Sequence, residues 1–120
     1  MTGIRSRQTV TPYSWGQDGR GWRLCDEAKL QVIEEELPPG TAENLHYHAK
    51  ARQVYYILSG SLRVELDGET CQLAAGEMVE IPPGTRHLIA NDGTKTASLL
   101  VISSPSTYED RLQPDSDKEG

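Results

Sequence analysis

Short segments of alternating polar and apolar residues, separated by turns rich in glycine, proline and aspartate, run through most of this chain. The pair Asp67-Gly68 is the strongest hairpin signal, because it suits the positive dihedral angles of a type I′ turn. No stretch of ten or more residues shows helical periodicity. The pattern predicts an all-β sandwich or barrel with little or no helix.

The three histidines lie in two stretches where a turn precedes a strand. His46 and His48 are two residues apart, so on a strand they project from the same face. His87 opens another strand after a Pro-Pro-Gly turn. Imidazole is the commonest protein ligand for first-row divalent metals, and an amide oxygen can fill a fourth position. Gln53, which opens the strand after His48, is the candidate for it, although a single histidine is more often a surface or hydrogen-bonded residue.

These stretches resemble the two motifs of the cupin family. In the first, Gly40 is followed by five residues, the His46-x-His48 pair, four residues, Gln53, six residues and Gly60. The second is carried at the family's spacing by Gly76, Pro82, Gly84, His87 and Asn91.

Similarity to small, single-domain, RmlC-like cupins implies a jelly-roll barrel, also called a double-stranded β-helix. It also implies His46, His48 and His87 as ligands of one divalent transition metal, which the ligand set leaves open among nickel, zinc, iron, manganese and cobalt. Gln53 stands where the family has an acidic ligand. Cupins with three histidines and a glutamine are known, so Gln53 is carried over as the fourth metal ligand. The alternative is that it packs beside three histidines and water.

Several groups are candidates for handling protons, because the ligand set has no carboxylate. Tyr55 shares the face of Gln53 on its strand, which makes it the candidate catalytic residue; a core tyrosine bonded to backbone is the alternative. Glu43 and Glu80 are the other nearby candidates, and for both we expect a solvent-facing role. The run Glu34-Glu35-Glu36 also suggests a solvated strand end.

The ligand set favours certain chemistry. An ion held by neutral ligands keeps its full charge, so it should favour anionic, oxygen-donating substrates. We expect a metal-dependent enzyme on a small polar or anionic metabolite, an isomerase or lyase acting through an enediolate. A metal-dependent dioxygenase is one alternative, and a non-catalytic module that binds a small molecule or sugar is another, since fold does not imply function.

The length and net charge of the chain limit the domain organisation and the kinds of partner that we expect. The chain has 120 residues and a net charge of -6, which predicts one domain and argues against nucleic acid or an anionic membrane as partner. It shows neither a long apolar run nor a signal-peptide pattern, so we expect a cytoplasmic protein. Cys25 and Cys71 are expected to be reduced.

Composition also predicts the domain boundaries. We expect an N-terminal arm over residues 1–12, loose or laid on a neighbouring subunit, the cupin domain over 13–112, and a flexible acidic tail over 113–120. A homodimer, paired through edge strands and the arm, is a further expectation.

Overall fold

The computed structural model describes residues 3–16, 18–108 and 110–114. These ranges form β-strands and no helical element, which confirms the predicted fold class. The strands are β1 (Tyr13–Trp15), β2 (Gly19–Glu27), β3 (Leu30–Leu37), β4 (Tyr47–His48), β5 (Arg52–Ser59), β6 (Ser61–Leu66), β7 (Glu69–Ala74), β8 (Met78–Ile81), β9 (His87–Ala90), β10 (Ala97–Ser104) and β11 (Arg111–Leu112). None of the described segments is a helix that could span a membrane.

Three antiparallel sheets build the barrel. Six strands form the largest sheet in the order β1-β2-β3-β10-β5-β8, three form a second in the order β7-β6-β9, and β11 pairs with β4. Strands distant in sequence lie next to each other, as in β3-β10-β5, which is the crossover pattern of a jelly roll.

Side-chain alternation places the core between the sheets. On β5 the buried residues are Gln53, Tyr55 and Ile57, which confirms the predicted face. The central strand β10 buries Ala97, Leu99, Val101 and Ser103, while the side chains between them are only half-buried. The run of four aliphatic residues over 99–102 predicts burial on both faces, but in the single chain the outer face of the largest sheet is covered only in part.

Two glycine turns shape the connections between sheets. Asp67 and Gly68 have φ values of 47° and 87°, as the predicted type I′ turn requires. The pair Gly60-Ser61 predicts a hairpin turn, but β5 and β6 belong to different sheets, so this turn is a corner between them. Gly60 has a φ of 79°, and an added Cβ would lie 2.8 Å from the Cβ of Ala97.

The described part of the N-terminal segment contacts the chain's own largest sheet, and the boundary of an arm over residues 1–12 stays a prediction. Arg7 forms ion pairs with Glu34 at 3.3 Å and with Glu36 at 2.8 Å. Its guanidinium also lies 3.9 Å from the ring centroid of Trp22. Of the predicted tail, residues 115–120 lie outside the described residues.

A matched pair of substitutions should separate strain from crowding at Gly60. Gly76 has a φ of 87° with nothing within 4 Å of an added Cβ, so Gly76→Ala introduces dihedral strain alone, of about 1–2 kcal/mol. Gly60→Ala adds the contact with Ala97 and should cost roughly 1–3 kcal/mol more. Urea unfolding of both variants measures this difference. Equal losses would contradict the corner packing.

Candidate metal centre

Backbone pairing brings the first and second motifs together. The His46 amide donates to the His87 carbonyl at 3.0 Å, and the His87 amide donates to the His46 carbonyl at 2.8 Å. This isolated antiparallel bridge places the two side chains next to each other, with ring centroids 4.3 Å apart. His48 is joined to the turn before His87 by a 2.8 Å bond from the Gly84 amide to the His48 carbonyl.

The three histidines form one buried cluster. Their relative exposures are 2% for His46, 5% for His48 and 0% for His87. One nitrogen from each ring lies within 4.8 Å of the nitrogens of the other two. The structure therefore brings together all three histidines that the sequence predicted as ligands.

Hydrogen bonds orient two of the rings. His46 Nδ1 lies 2.8 Å from the Asn44 carbonyl, and His87 Nδ1 lies 2.8 Å from the Thr85 carbonyl. Because a carbonyl only accepts, each Nδ1 carries the proton and each Nε2 keeps a lone pair. This is the usual arrangement of histidines that ligate metals.

The cluster is uncharged at neutral pH. Burial, followed by the proximity of His87, lowers the pKa of His46 to about 3 and that of His48 to about 4. Burial also lowers the pKa of His87. Neutral imidazole is the form that binds a metal, so these rings compete little with protons for the ion.

Gln53 joins the same group through β5. It is 4% exposed, and its Nε2 donates to Ser103 Oγ on β10 at 3.0 Å, which fixes the orientation of the amide. Its Oε1 is buried and has no hydrogen-bond partner among the described residues. Sequence reasoning missed Ser103, because only the β5–β10 pairing places it beside Gln53.

The turn between His48 and Gln53 is held by Asp110. Its carboxylate accepts hydrogen bonds from the backbone amides of residues 49, 50 and 51 at 2.9–3.2 Å. Asp110 is 7% exposed, and Arg111 beside it pairs with His48 across β11 and β4. Sequence reasoning missed this contact, because the segment after Ser104 has the composition of a tail.

Three of the four candidate ligands, His46, His48 and Gln53, line a cavity of about 190 Å³. Its walls carry two arginines, Arg23 and Arg111, and two carboxyl–phenol pairs. Tyr55 donates to Glu43 at 3.2 Å, and Tyr13 donates to Glu35 at 3.2 Å. Tyr55 therefore bonds to a carboxyl group of the cavity and not to backbone.

Two expectations about glutamates are wrong. Glu35 was expected at a solvated strand end, but it is 9% exposed and lines the cavity. The alternation of residues along β3 indicated this position, because Glu35 lies on the same face of the strand as the buried Ile33 and Leu37. Glu43 is half-buried against Tyr55 and does not face open solvent. Only Glu80 follows the expectation, in an exposed pair with Arg52.

The cavity changes the ionisation of its carboxyls and phenols. Burial, and then the charge of Glu43, raises the pKa of Glu35 to about 8. Burial raises the pKa of Glu43 to about 7, against the lowering effect of Arg111 and of the Tyr55 hydroxyl. Burial also raises the pKa of Tyr55 well above its usual value, so it is a neutral donor at pH 7.

The donor set fits a divalent transition metal. His87 Nε2, His48 Nδ1 and Gln53 Oε1 are buried without hydrogen-bond partners among the described residues. Buried polar atoms normally have hydrogen-bond partners. Three buried lone-pair atoms without such partners, on neighbouring side chains, therefore indicate that a bound ion completes the site. Three imidazoles and an amide oxygen suit zinc, iron, nickel, cobalt or manganese.

The fold and the site define a small β-barrel protein with a candidate three-histidine metal centre inside its mouth. The family model described as a cupin domain matches residues 33–103, more than half of the chain. The chain belongs to the cupin family.

Relatives in sequence come from several kinds of protein. The chain is 35% identical over 83 residues to the uncharacterised protein MJ1618 of Methanocaldococcus jannaschii, covering 68% of this chain and 66% of that one. It is 37% identical over 69 residues to polyketide synthase CurC of Streptomyces cyaneus, covering 58% and 45%. It is 32% identical over 85 residues to quercetin 2,3-dioxygenase of Bacillus subtilis, covering 69% and 24%. The chain thus spans less than two thirds of each of these relatives.

Solved structures share the fold. An RmlC-like cupin from Shewanella frigidimarina superposes with a TM-score of 0.82 at 20% identity, covering 91% of this chain and 96% of that one. The polyketide cyclase RemF from Streptomyces resistomycificus gives a TM-score of 0.82 at 21% identity, covering 95% and 86%. At these identities the likeness supports the barrel alone.

Removing the amide should weaken metal binding if Gln53 is a ligand. We expect Gln53→Ala to lower the affinity for zinc or nickel about 10- to 100-fold, as measured by competition with a chromogenic chelator. The exposed Gln72, which bonds to Ser61, provides the matched control Gln72→Ala. Unchanged affinity in Gln53→Ala would show that Gln53 only packs beside three histidines.

Proposed function

We propose that this cupin is a metal-dependent acid–base enzyme, an isomerase or lyase, acting on a small anionic compound with an enolisable carbonyl group. The observation that carries the proposal is the three-histidine cluster, two members of which line, with Gln53, a cavity that also holds two carboxyl groups. Reactions through an enediolate need both a Lewis acid and a group that moves protons.

The residues have separate roles in this proposal. A divalent cation held by His46, His48, His87 and Gln53 would supply a Lewis acid that stabilises negative charge on a substrate oxygen. Arg23 and Arg111 line the same cavity and favour an anionic substrate. Tyr55, the predicted catalytic residue, stays protonated and donates a hydrogen bond to Glu43, so we assign it to positioning that carboxyl.

Glu43 is the proposed general base. Among the proton-handling candidates from the sequence, Glu43 and Tyr55 line the cavity while Glu80 does not. The raised pKa of Glu43, about 7, brings it close to neutral pH, where a general base is most effective. Its ionised form would take a proton from the carbon next to the substrate carbonyl.

Deuterium exchange tests the proposed function. The full chain, loaded in turn with zinc, nickel, ferrous iron, manganese or cobalt, is incubated in heavy water with acetylacetone, dihydroxyacetone and pyruvate. We expect one or more loaded forms to incorporate deuterium next to the carbonyl, as followed by proton NMR, and Glu43→Gln to slow this about 10²- to 10⁴-fold. Glu80→Gln is the matched control. Failure of every loaded form with every compound would contradict the proposal.

A dioxygenase is the second candidate, favoured by the match to quercetin 2,3-dioxygenase at 32% identity. It predicts oxygen consumption by the ferrous, nickel or cobalt form with a flavonol or a diketone, without the deuterium exchange of an isomerase. A binding module instead predicts affinity for organic acids or sugars and no turnover with any metal.

We also propose a homodimer, acting in the cytoplasm without nucleic acid or membrane partners. The outer face of the largest sheet exposes large apolar side chains, among them Tyr56 at 39%, Leu58 at 40% and Met78 at 48%. Tyr56 and Met78 are cross-strand neighbours, so these side chains form a patch. Exposed patches of this kind often mark interfaces between proteins.

Light scattering tests the dimer. Size-exclusion chromatography should give twice the 13.3 kDa mass of the chain. Leu58→Glu should give the monomer mass, because burying an unpaired carboxylate at an interface is costly. Glu69→Gln, at an exposed position on a different sheet, is the control. A wild-type mass of one chain at every concentration would contradict the dimer.

A further inference from the structure

Two carboxyl groups line the cavity, and Glu35 is the more deeply buried of the two. It lies on β3, which is paired with β2 on one side and β10 on the other. Its Oε2 accepts a hydrogen bond from the Tyr13 hydroxyl at 3.2 Å. Its Oε1 is buried and has no hydrogen-bond partner in the part of the chain that the structure describes.

The position of the Glu35 proton follows from these contacts. A neutral carboxylic acid has one O–H donor, and Oε2 is already occupied as an acceptor for Tyr13. The carbonyl oxygen of a neutral acid is the better acceptor for the Tyr13 hydroxyl, so we assign the proton to Oε1. A buried donor without an acceptor costs free energy, so this oxygen requires a partner that the described residues do not supply. A substrate in the cavity is such a partner.

Glu43 has surroundings that favour the opposite ionisation state. It accepts the Tyr55 hydroxyl at 3.2 Å, and the charge of Arg111 stabilises its carboxylate. Glu35 is influenced by Arg111 too, but less than by the negative charge of Glu43. When one carboxyl of such a pair ionises, its charge opposes ionisation of the other.

The remaining charged and titratable groups around Glu35 do not reverse this order. Arg23 on β2 lines the cavity, and its guanidinium stacks 4.0 Å from the ring centroid of Tyr13. Tyr13 and Tyr55 are neutral donors because burial raises the pKa of each. His46 and His48 are uncharged. Glu35 thus faces one carboxylate, one arginine stacked on a ring and one arginine that acts mainly on Glu43.

We propose that Glu35 and Glu43 form an acid–base pair in which Glu43 is ionised while Glu35 keeps its proton and donates it to the substrate. This inference rests on the proposed function and adds the second proton-transfer residue. Glu43 takes a proton from carbon, and Glu35 gives a proton from Oε1 to a second atom of the substrate. In isomerisation, Glu43 removes the proton from the first carbon while Glu35 protonates the carbonyl oxygen, which gives the enediol; Glu43 then returns its proton to the second carbon while Glu35 takes back the proton of the first carbon's hydroxyl. In loss of water, the carbon–oxygen bond to the leaving hydroxyl breaks as the carbon–carbon double bond forms, and Glu35 protonates the leaving oxygen. Neither reaction needs an oxidant or a reductant. Exchange of protons between the pair and solvent restores the starting state.

Titration of the carboxyl groups tests the pair without any substrate. In the full chain before metal is added, ¹³C NMR of the glutamate carboxyl carbons should show Glu35 protonated at neutral pH. Its titration curve should have two steps, because the two sites interact. Glu43→Gln should lower the pKa of Glu35, whereas Glu80→Gln should not. If Glu43→Gln does not fold, the presence or absence of two steps in the wild-type curve still shows whether Glu35 and Glu43 interact.

Kinetic partition tests the role of the proton. With dihydroxyacetone in heavy water, the metal-loaded wild type should both exchange carbon-bound protons and form glyceraldehyde. Glu35→Gln should lower the ratio of glyceraldehyde formation to carbon exchange about 10²-fold or more, because proton removal remains and proton delivery is lost. Glu43→Gln should lose both reactions.

The outcomes separate this inference from the proposed function. Ionisation of Glu35 in the usual acidic range, or a curve that Glu43→Gln leaves unchanged, would overturn the pair. Equal rates of glyceraldehyde formation in wild type and Glu35→Gln would overturn the donor role. A two-step titration in a chain whose wild type exchanges no protons would support the pair while the proposed function fails.

Discussion

The backbone bridge between His46 and His87 is the contact on which the rest of the site depends. Its two hydrogen bonds join the segment before β4 to the start of β9, strands that belong to different sheets. The two imidazoles are therefore positioned by main chain and not only by side-chain packing. His48 follows two residues later on the same face, and Gln53 enters from β5 beside it. The candidate metal centre is thus a product of sheet closure, and local sequence alone does not create it.

The polar groups inside the barrel are tolerated because most of them are uncharged. Isolated charges are costly to bury, and buried ionisable groups commonly shift their pKa and become neutral instead. The histidines remain deprotonated and the phenols protonated for this reason. The two carboxyls differ, because Arg111 is the strongest influence that lowers the pKa of Glu43, whereas on Glu35 its effect is outweighed by the negative charge of Glu43. The same desolvation that opposes charge leaves ligands and acids in reactive forms at neutral pH.

Much of the fold and of the candidate ligand set could be predicted from the sequence, because both depend on the spacing of residues that are close together in the chain. The H-x-H pair, the Asp67-Gly68 turn and the alternation on β5 each depend on neighbours within a few residues, and each was confirmed in the structure. Glu35 was misjudged because a run of three glutamates resembles a solvated strand end. Its neighbours form ion pairs with Arg7 on the outer side, while it alone points inward.

Ser103 and Asp110 show what local spacing leaves out. Ser103 fixes Gln53 through the pairing of two strands that are far apart in sequence, and no motif marks it. Asp110 lies in a segment whose composition is typical of a tail, yet its carboxylate accepts three backbone amides from a distant turn. Both contacts exist only once the chain has folded back on itself.

The Asp110 contact has a consequence for the order in which the centre is assembled. The turn that it fixes joins two candidate ligands, yet Asp110 is synthesised after all four of them. During translation the nascent chain would hold its complete set of donors while the loop between His48 and Gln53 still lacked its anchor. Selective retention of a cation, if it requires a rigid loop, would therefore begin only when this late segment has emerged and docked.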